Sequence, residues 1–444
     1  MNLKHNIYLK LGIIVLIVLL LLIPTSMIHS LITDRQDKQS EAIVEVSSKW
    51  GEAQTIRGPF LTIPYVKYTK VKSGRDTAIR INAETKWLII LPTQLKIDGK
   101  VIPQKLDRGI FDVVVYNSNI EISGSFSEFK FENAEVPLSQ FQFDKAKLVV
   151  GISDLRGIEK QVELNWDNSR YFFNPGNESG KVVNPAINSS VLILPKDSQQ
   201  HNFKFLVNLK GSQQMFFSPV GKITDVNIKS SWSDPKFTGA YLPDDRDNTG
   251  DSFSAHWNVL HLNRNFPQQW INDDQNVENS DFGFELLLTV DNYKKSFRSI
   301  QYAILFIAFT FIVFFFVEIM QKVFIHPIQY ILVGFALIVF FTLLLSISEQ
   351  LNFNLAYLVS ALATLILVTG YVKAILKNTK IALMVAGILA LLYSFIFVII
   401  QLEDMALLIG SIGLFIVLST VMYLSRKIDW YNLNQSTKPE GNIE

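Results

Sequence analysis

The chain has 444 residues, 49% of them hydrophobic, and its 41 Lys and Arg set against 40 Asp and Glu leave a formal net charge of +1. That balance excludes the basic footprint of a nucleic-acid binder and a polybasic lipid anchor. Cysteine is absent, which excludes disulfides, cysteine metal sites and thiol chemistry; any part held in an oxidising space relies on its core alone.

The first element is an apolar run. Lys10 and Asp34 bracket 23 uncharged residues, Leu11 to Thr33. The run resembles a signal-peptide core behind Lys4 and Lys10, but it continues past Pro24 through Met27, Ile28 and Leu31, and no small-residue cleavage site follows. The expectation is an uncleaved membrane anchor, with His29 as an interfacial group near its end. Ile43, Val46 and Trp50 then recur at helical spacing between charges, which predicts an amphipathic helix continuing the anchor and ending at Gly51.

From about Gln54 to Phe297 the period changes to two. FLTIPYVKY, KWLIILP, GIFDVVVY, KAKLVVGI, NFKFLVNL, DVNIKSSW and FELLLTVD are rich in Val, Ile, Phe, Leu and Tyr. Asp98-Gly99, Asn174-Pro175-Gly176, Gly211-Ser212 and Asp273-Asp274 read as turns between them. Short strands at frequent spacing predict an antiparallel sandwich or elongated sheet, and the polar stretch Asn174 to Asn188 is a candidate seam between two domains.

The last third is a membrane bundle. Ile300 to Val317 is an uncharged run of 18, and no charge occurs from Pro327 to Ser348. Crossing a hydrocarbon core takes ~20 such residues. Spans are expected at roughly 300–320, 327–348, 355–373, 381–400 and 406–424. Ser360 and Thr364, Ala382 and Ala386, and Gly410 and Gly413 are candidate packing positions. Lys4, Lys10, Lys322, Lys373, Lys377, Lys380, Arg426 and Lys427 flank one side of six spans, whereas the opposite short loops carry Glu349, Glu403 and Asp404. The positive-inside rule then puts both termini in the cytoplasm and the β-rich domain outside. Trp430 and Tyr431 suit an interfacial anchor.

The fold class expected is therefore a six-span α-helical membrane bundle plus a large β-rich, sandwich-like extracytoplasmic domain. Its divisions are an anchor at 1–33, a neck helix at 34–53, the β-rich domain at 54–297, a five-helix bundle at 298–426 and a cytoplasmic tail at 427–444.

Chemistry-bearing motifs are sparse. There is no P-loop, nucleophile elbow or H-E-x-x-H pair. His256 and His261 would face opposite ways on a strand, so a shared metal is not expected. The acidic run Pro243 to Asp251 fails the EF-hand pattern, with Thr249 and His256 where ligands are needed, and reads as a surface turn. No catalytic, cofactor-binding or metal residue is assigned. Glu318 and His326, either side of a short hinge, are candidates for an intramembrane proton-handling pair. The plainer reading of both as water-contacting interfacial groups is preferred, and on it Glu318→Gln leaves function intact. In the β-rich region, Trp50, Trp232, Arg264 and Trp270 read as core and turn positions, with a partner- or lipid-binding surface as the sharper alternative.

Long blocks of the chain resemble the CreD family of bacterial inner-membrane proteins, also described as cell-envelope integrity proteins. They include LIPTSMIHSLITDRQ (22–36), AIVEVSSKWGEAQTIRGPFLTIPY (42–65), KITDVNIKSSWSDPKFTGAYLP (222–243), HLNRNFPQQW (261–270), FGFELLLTVDNYKKSFRSIQYAILFI (282–307), IHPIQYILVGFALIVFFTLLLSISE (325–349) and RKIDWY (426–431). The resemblance implies an inner-membrane location, a large periplasmic domain, and output from a two-component system answering growth conditions and envelope stress, with links to colicin tolerance and β-lactam response. It brings no catalytic residue. The expected function is binding or scaffolding in envelope integrity and the stress response, with no enzymatic activity. The expected partners are the lipid bilayer and an envelope protein or cell-wall component. The alternative is a transporter or lipid-handling protein with a path through the bundle; a hydrolase acting on envelope polymers is least favoured.

Overall fold

The computed structural model describes residues 7–72, 79–127, 136–176, 183–193, 200–272, 275–287, 292–321, 323–402 and 405–426. Lys4, Lys322, Lys427, the Glu403–Asp404 loop, the Asp273-Asp274 turn, Trp430, Tyr431 and the tail from 427 lie outside them. The chain forms two compact units, Ser40–Thr289 and Met1–Gln39 with Val290–Glu444.

The first helix, α1 (Ile7–Trp50), is continuous through Pro24, and Gly51 stops it. Thr25 Oγ1 donates to the Leu21 carbonyl one turn back (2.8 Å). The remaining helices are α2 (Asn292–Gln301), α3 (Ala303–Gln321), α4 (Pro327–Ser348), α5 (Phe353–Leu376), α6 (Thr379–Gln401) and α7 (Ala406–Ser425). α1 and α3 to α7 are each long and apolar enough to cross a membrane. α2 is a separate amphipathic helix of nearly three turns ahead of the second span.

Within the helical unit, aromatic rings fill the centre. Phe306 and Phe340 lie 4.7 and 5.0 Å from Tyr393, and Phe340 lies 5.3 Å from Tyr357. The Tyr357 hydroxyl is satisfied by the Tyr393 carbonyl (2.8 Å). Of the small residues singled out in the sequence, Ser360, Thr364, Ala382 and Gly413 are buried, and Phe395 occupies the space a Gly413 side chain would need. Gly410 has open space beside it.

In the β unit, the described residues form a nine-stranded and an eight-stranded sheet. The first is built on Gln54–Lys72, which pairs with Ile79–Ile90, Lys147–Ile152 and Gln214–Phe217. The second runs Asp245–Asn248, Phe253–Leu260, Ile223–Ser230, Gln94–Arg108, Phe111–Phe126, His201–Ser212, Glu163–Trp166, Ser169–Phe172. Alternation is clear in His201–Ser212: Phe203, Phe205, Val207 and Leu209 point in, Asn202, Lys204 and Leu206 out. The inner faces share one core. Trp257 meets Phe282 at 5.6 Å and Phe253 meets Phe284 at 5.2 Å, each pair joining one sheet to the other. Each such buried ring contributes roughly 1.5–3 kcal/mol.

Three sequence expectations need correction. The sheets are mixed: Gln54–Ile56 runs parallel to Met215–Phe217, and Gln94–Val101 parallel to Ile223–Ser230. Parallel neighbours need long crossovers, and over a hundred intervening residues supply them. Asp98-Gly99 is no turn but lies inside the strand Gln94–Arg108. A Cβ at Gly99 would sit 2.5 Å from Ile228 Cδ1 and 2.8 Å from Ile120 Cδ1, so a side chain there would displace both isoleucine ends. Asn174–Asn188 is no seam: Asn174 and Pro175 pair with Asn188 and Ile187 within one sheet.

Candidate functional site

In the helical unit, three helices and one loop converge on Glu318. α3 carries the carboxylate, α1 brings Lys10 and α4 brings Tyr330. Lys10 Nζ forms an ion pair with Glu318 Oε1 and donates to the Ile325 carbonyl (2.9 Å). The Ile325 N–H donates to Glu318 Oε1 (3.2 Å) and the Tyr330 hydroxyl to Oε2 (3.0 Å). The Lys10 ammonium also lies 4.4 Å from the centre of the Phe324 ring. Both charged residues are over nine-tenths buried. One positive charge, one negative charge and two neutral donors leave a satisfied knot, the condition under which an ion pair survives away from water.

This corrects two expectations. Glu318 is enclosed by protein rather than solvated at an interface, and its partner is Lys10 rather than His326. His326 is exposed and caps α4: its Nδ1 accepts from the Ile328 N–H (3.3 Å), while its own N–H donates to Gln329 Oε1 (2.9 Å). Lys10 and Glu318 lie 308 positions apart, so no local spacing reveals the pair. The available signal is that each sits at the end of its apolar run with the same polarity of flanking charge. At the other end of α4, Glu349 takes Arg35 at 3.5 Å and the Tyr293 hydroxyl at 3.2 Å. His29 packs against Phe297, with ring centres 4.5 Å apart.

The four β-unit candidates are held within their own unit. Trp50 Nε1 donates to the Tyr116 carbonyl (3.3 Å) beneath Lys210, whose ammonium is 4.7 Å from the ring. Trp232 Nε1 donates to the Leu287 carbonyl (3.0 Å). Trp270 is buried edge-on to Phe60 and Phe266. Arg264 is buried too. It stacks 4.2 Å from the centre of Phe266 and donates to the Phe266 carbonyl (2.8 Å) and Gln268 Oε1 (2.6 Å). Gln268 in turn donates to the Pro92 carbonyl (2.7 Å). Desolvation holds the Arg264 guanidinium down at about 10. Phe266 thus joins Arg264 to Trp270, and the arrangement fixes a loop on the sheet.

A polar face was missed in the sequence. On the outside of the eight-stranded sheet, Asp98, Asn227, His256 and Asp245 are neighbours in one cross-strand row. His256 Nε2 meets Asp225 Oδ2 at 2.8 Å, and this hydrogen bond raises the imidazole above its ordinary value. The acidic run supplies the edge of this face: Asp245–Asn248 is a strand and Thr249 to Ser252 its turn. Among the described residues no three His, Asp or Glu side chains converge as a metal site. The signal for the face was the outward half of each alternating strand, which cannot be aligned across strands without their register.

Six long apolar helices among the described residues, with a two-sheet unit inserted after the first, define a multi-pass membrane protein with a large β domain. The chain belongs to the CreD family, described as inner membrane protein CreD, which it matches over residues 6–431. It is 29% identical to the inner membrane protein CreD of Escherichia coli (strain K12) over 424 residues, 93% of this chain and 91% of that protein. Among solved structures, an M1 zinc metallopeptidase from Deinococcus radiodurans is similar over 38% of each chain, at 7% identity and a TM-score of 0.19, a likeness too slight to carry an argument.

Proposed function

We propose that this inner-membrane protein contributes to envelope integrity and the stress response without enzymatic activity, by displaying its β domain in the periplasm to bind or scaffold an envelope protein or cell-wall component. An exposed aliphatic patch on the β unit carries the reading. Ile223 and Leu260 are cross-strand partners, and both side chains face outward. Leu262 follows with 81% of its surface exposed, and Leu242 is 65% exposed beside Tyr241, whose hydroxyl donates to the Asn263 carbonyl (2.8 Å). Clustered exposed aliphatic groups mark a contact site.

The bundle supports anchoring over transport. Its centre is filled by the Phe306, Phe340, Tyr357 and Tyr393 rings, and the Lys10–Glu318 charges are spent on each other. A void lined by Phe314, Val317, Ile325 and Val385 holds about 10 Å³. That is the threshold for a single water, and apolar walls give a water nothing to bond.

The test is photocrosslinking in native membranes with a photoreactive residue at Leu242 or Leu262, followed by identification of the adducts. A specific envelope protein or cell-wall fragment is expected. Adducts of phospholipid alone would replace the scaffold by the lipid-handling alternative.

A further inference from the structure

A cleft of about 370 Å³ opens on the eight-stranded sheet, lined by Lys100, Lys229, Ser231, Asp247, Thr249 and Ser254 among others. Strand register assembles it. Lys229 is the cross-strand partner of Lys100 on one side and of Ser254 on the other, and Ser254 partners Asp247. The four side chains form one row across four strands. The turn Thr249 to Ser252 walls the cleft, held by Thr249 Oγ1 and Ser252 Oγ at 2.9 Å and by the Thr249 N–H on the Ser252 carbonyl at 3.0 Å.

The two lysines are the unusual feature. Like charges directly opposite each other on neighbouring strands are destabilising. Other lysines of the same sheet are neutralised: Lys96 by Asp98 at 2.8 Å, Lys204 by Glu121 at 2.7 Å, Lys210 by Glu159 at 3.3 Å. Lys100 and Lys229 have no ion pair or hydrogen bond among the described residues. The cleft thus offers two free ammonium groups, several hydroxyls and, at Asp247, one acceptor. Its volume lies at the small end of ligand sites.

We infer that this cleft binds an acidic glycan, a sugar unit bearing a carboxylate or phosphate group. Lys100 and Lys229 take the acid group. The hydroxyls of Ser231, Thr249 and Ser254 bond to the sugar, and Asp247 accepts from its hydroxyls. The inference rests on the periplasmic scaffold reading, because it supplies the chemistry of an envelope component, but its test does not need a cell.

Purified full-length protein in nanodiscs of zwitterionic lipid is titrated calorimetrically with glucuronate, glucose 6-phosphate, glucose and a poly-glutamate peptide. At least one acidic sugar is expected to bind ten-fold or more tightly than glucose, and more weakly as salt rises. Which of the two prevails distinguishes carboxylate from phosphate. The double variant Lys100→Gln/Lys229→Gln loses at least ten-fold in that affinity while its unfolding midpoint stays level or rises, since a repulsion has been removed. Equal binding of glucose, unaltered binding by the double variant, binding of the peptide alone, or no binding at all would each overturn the inference. Crosslinking from Leu242 and Leu262 in the double variant reads the scaffold separately, so the two can fail independently.

Discussion

Lys10 and Glu318 show how a membrane bundle tolerates charge: each is acceptable only because the other is there. The Glu318 carboxylate accepts from an ammonium, a backbone N–H and a tyrosine hydroxyl. Removing it leaves Lys10 buried with the Ile325 carbonyl and the faces of the Phe324 and Tyr330 rings. Breaking one side of such a pair costs about 3–5 kcal/mol, whereas replacing both sides by apolar groups of similar size is often nearly neutral. Glu318→Ala and Lys10→Met are therefore each expected to lower the unfolding midpoint of the detergent-solubilised protein sharply. Lys10→Met/Glu318→Leu is expected to recover most of the loss, with a coupling of roughly 1–3 kcal/mol. Costs that simply add would mean the two residues do not act as a pair. Glu318→Gln is also expected to destabilise the protein, because the amide cannot balance the ammonium.

At the scale of elements, the junction of α1 with the first strand rests on Gly51. Its φ of +153° lies outside the range other residues favour, and a Cβ there would come within 2.8 Å of the Lys210 carbonyl oxygen. Gly51→Ala is expected to cost about 1–3 kcal/mol, read as a lower denaturant midpoint with an unchanged slope. A neutral result would mean the junction relaxes without cost. The end of α1 at this glycine was legible in the sequence, as were the bundle helices, because length of apolar run and local spacing are one-dimensional signals. Asn352 and Asn378, whose side chains accept from the Leu355 and Lys380 N–H groups, mark the starts of α5 and α6 in the same local way. What depends on register was not legible. Asp98-Gly99 carried a turn signal, yet Gly99 answers to Ile228 and Ile120 from neighbouring strands. The Lys100–Lys229 row exists only once two strands distant in sequence run parallel.

For the whole molecule, the proposed activity turns on which side of the membrane holds the β domain. Among the described residues six helices are long and apolar enough to cross, and six crossings would return the chain to the side on which it began, with the segment between the first and second opposite both termini. The connection between α5 and α6 carries Lys377 and Lys380, with Lys373 in the last turn of α5, whereas that between α4 and α5 has no basic residue. Basic short loops favour the cytoplasm, so the proposed function expects the β domain in the periplasm. The absence of cysteine makes this directly measurable, since a single introduced thiol has no background. Asp251→Cys sits at an exposed turn of the β domain and Lys380→Cys at an exposed position in the first turn of α6. A small membrane-impermeant thiol reagent is expected to label Asp251→Cys in intact cells and Lys380→Cys only after the membrane is broken. The reverse pattern would place both the aliphatic patch and the lysine cleft in the cytoplasm, where no envelope polymer reaches them. The scaffold reading would then fall, while calorimetric binding of an acidic sugar would still stand and would call for a cytoplasmic ligand.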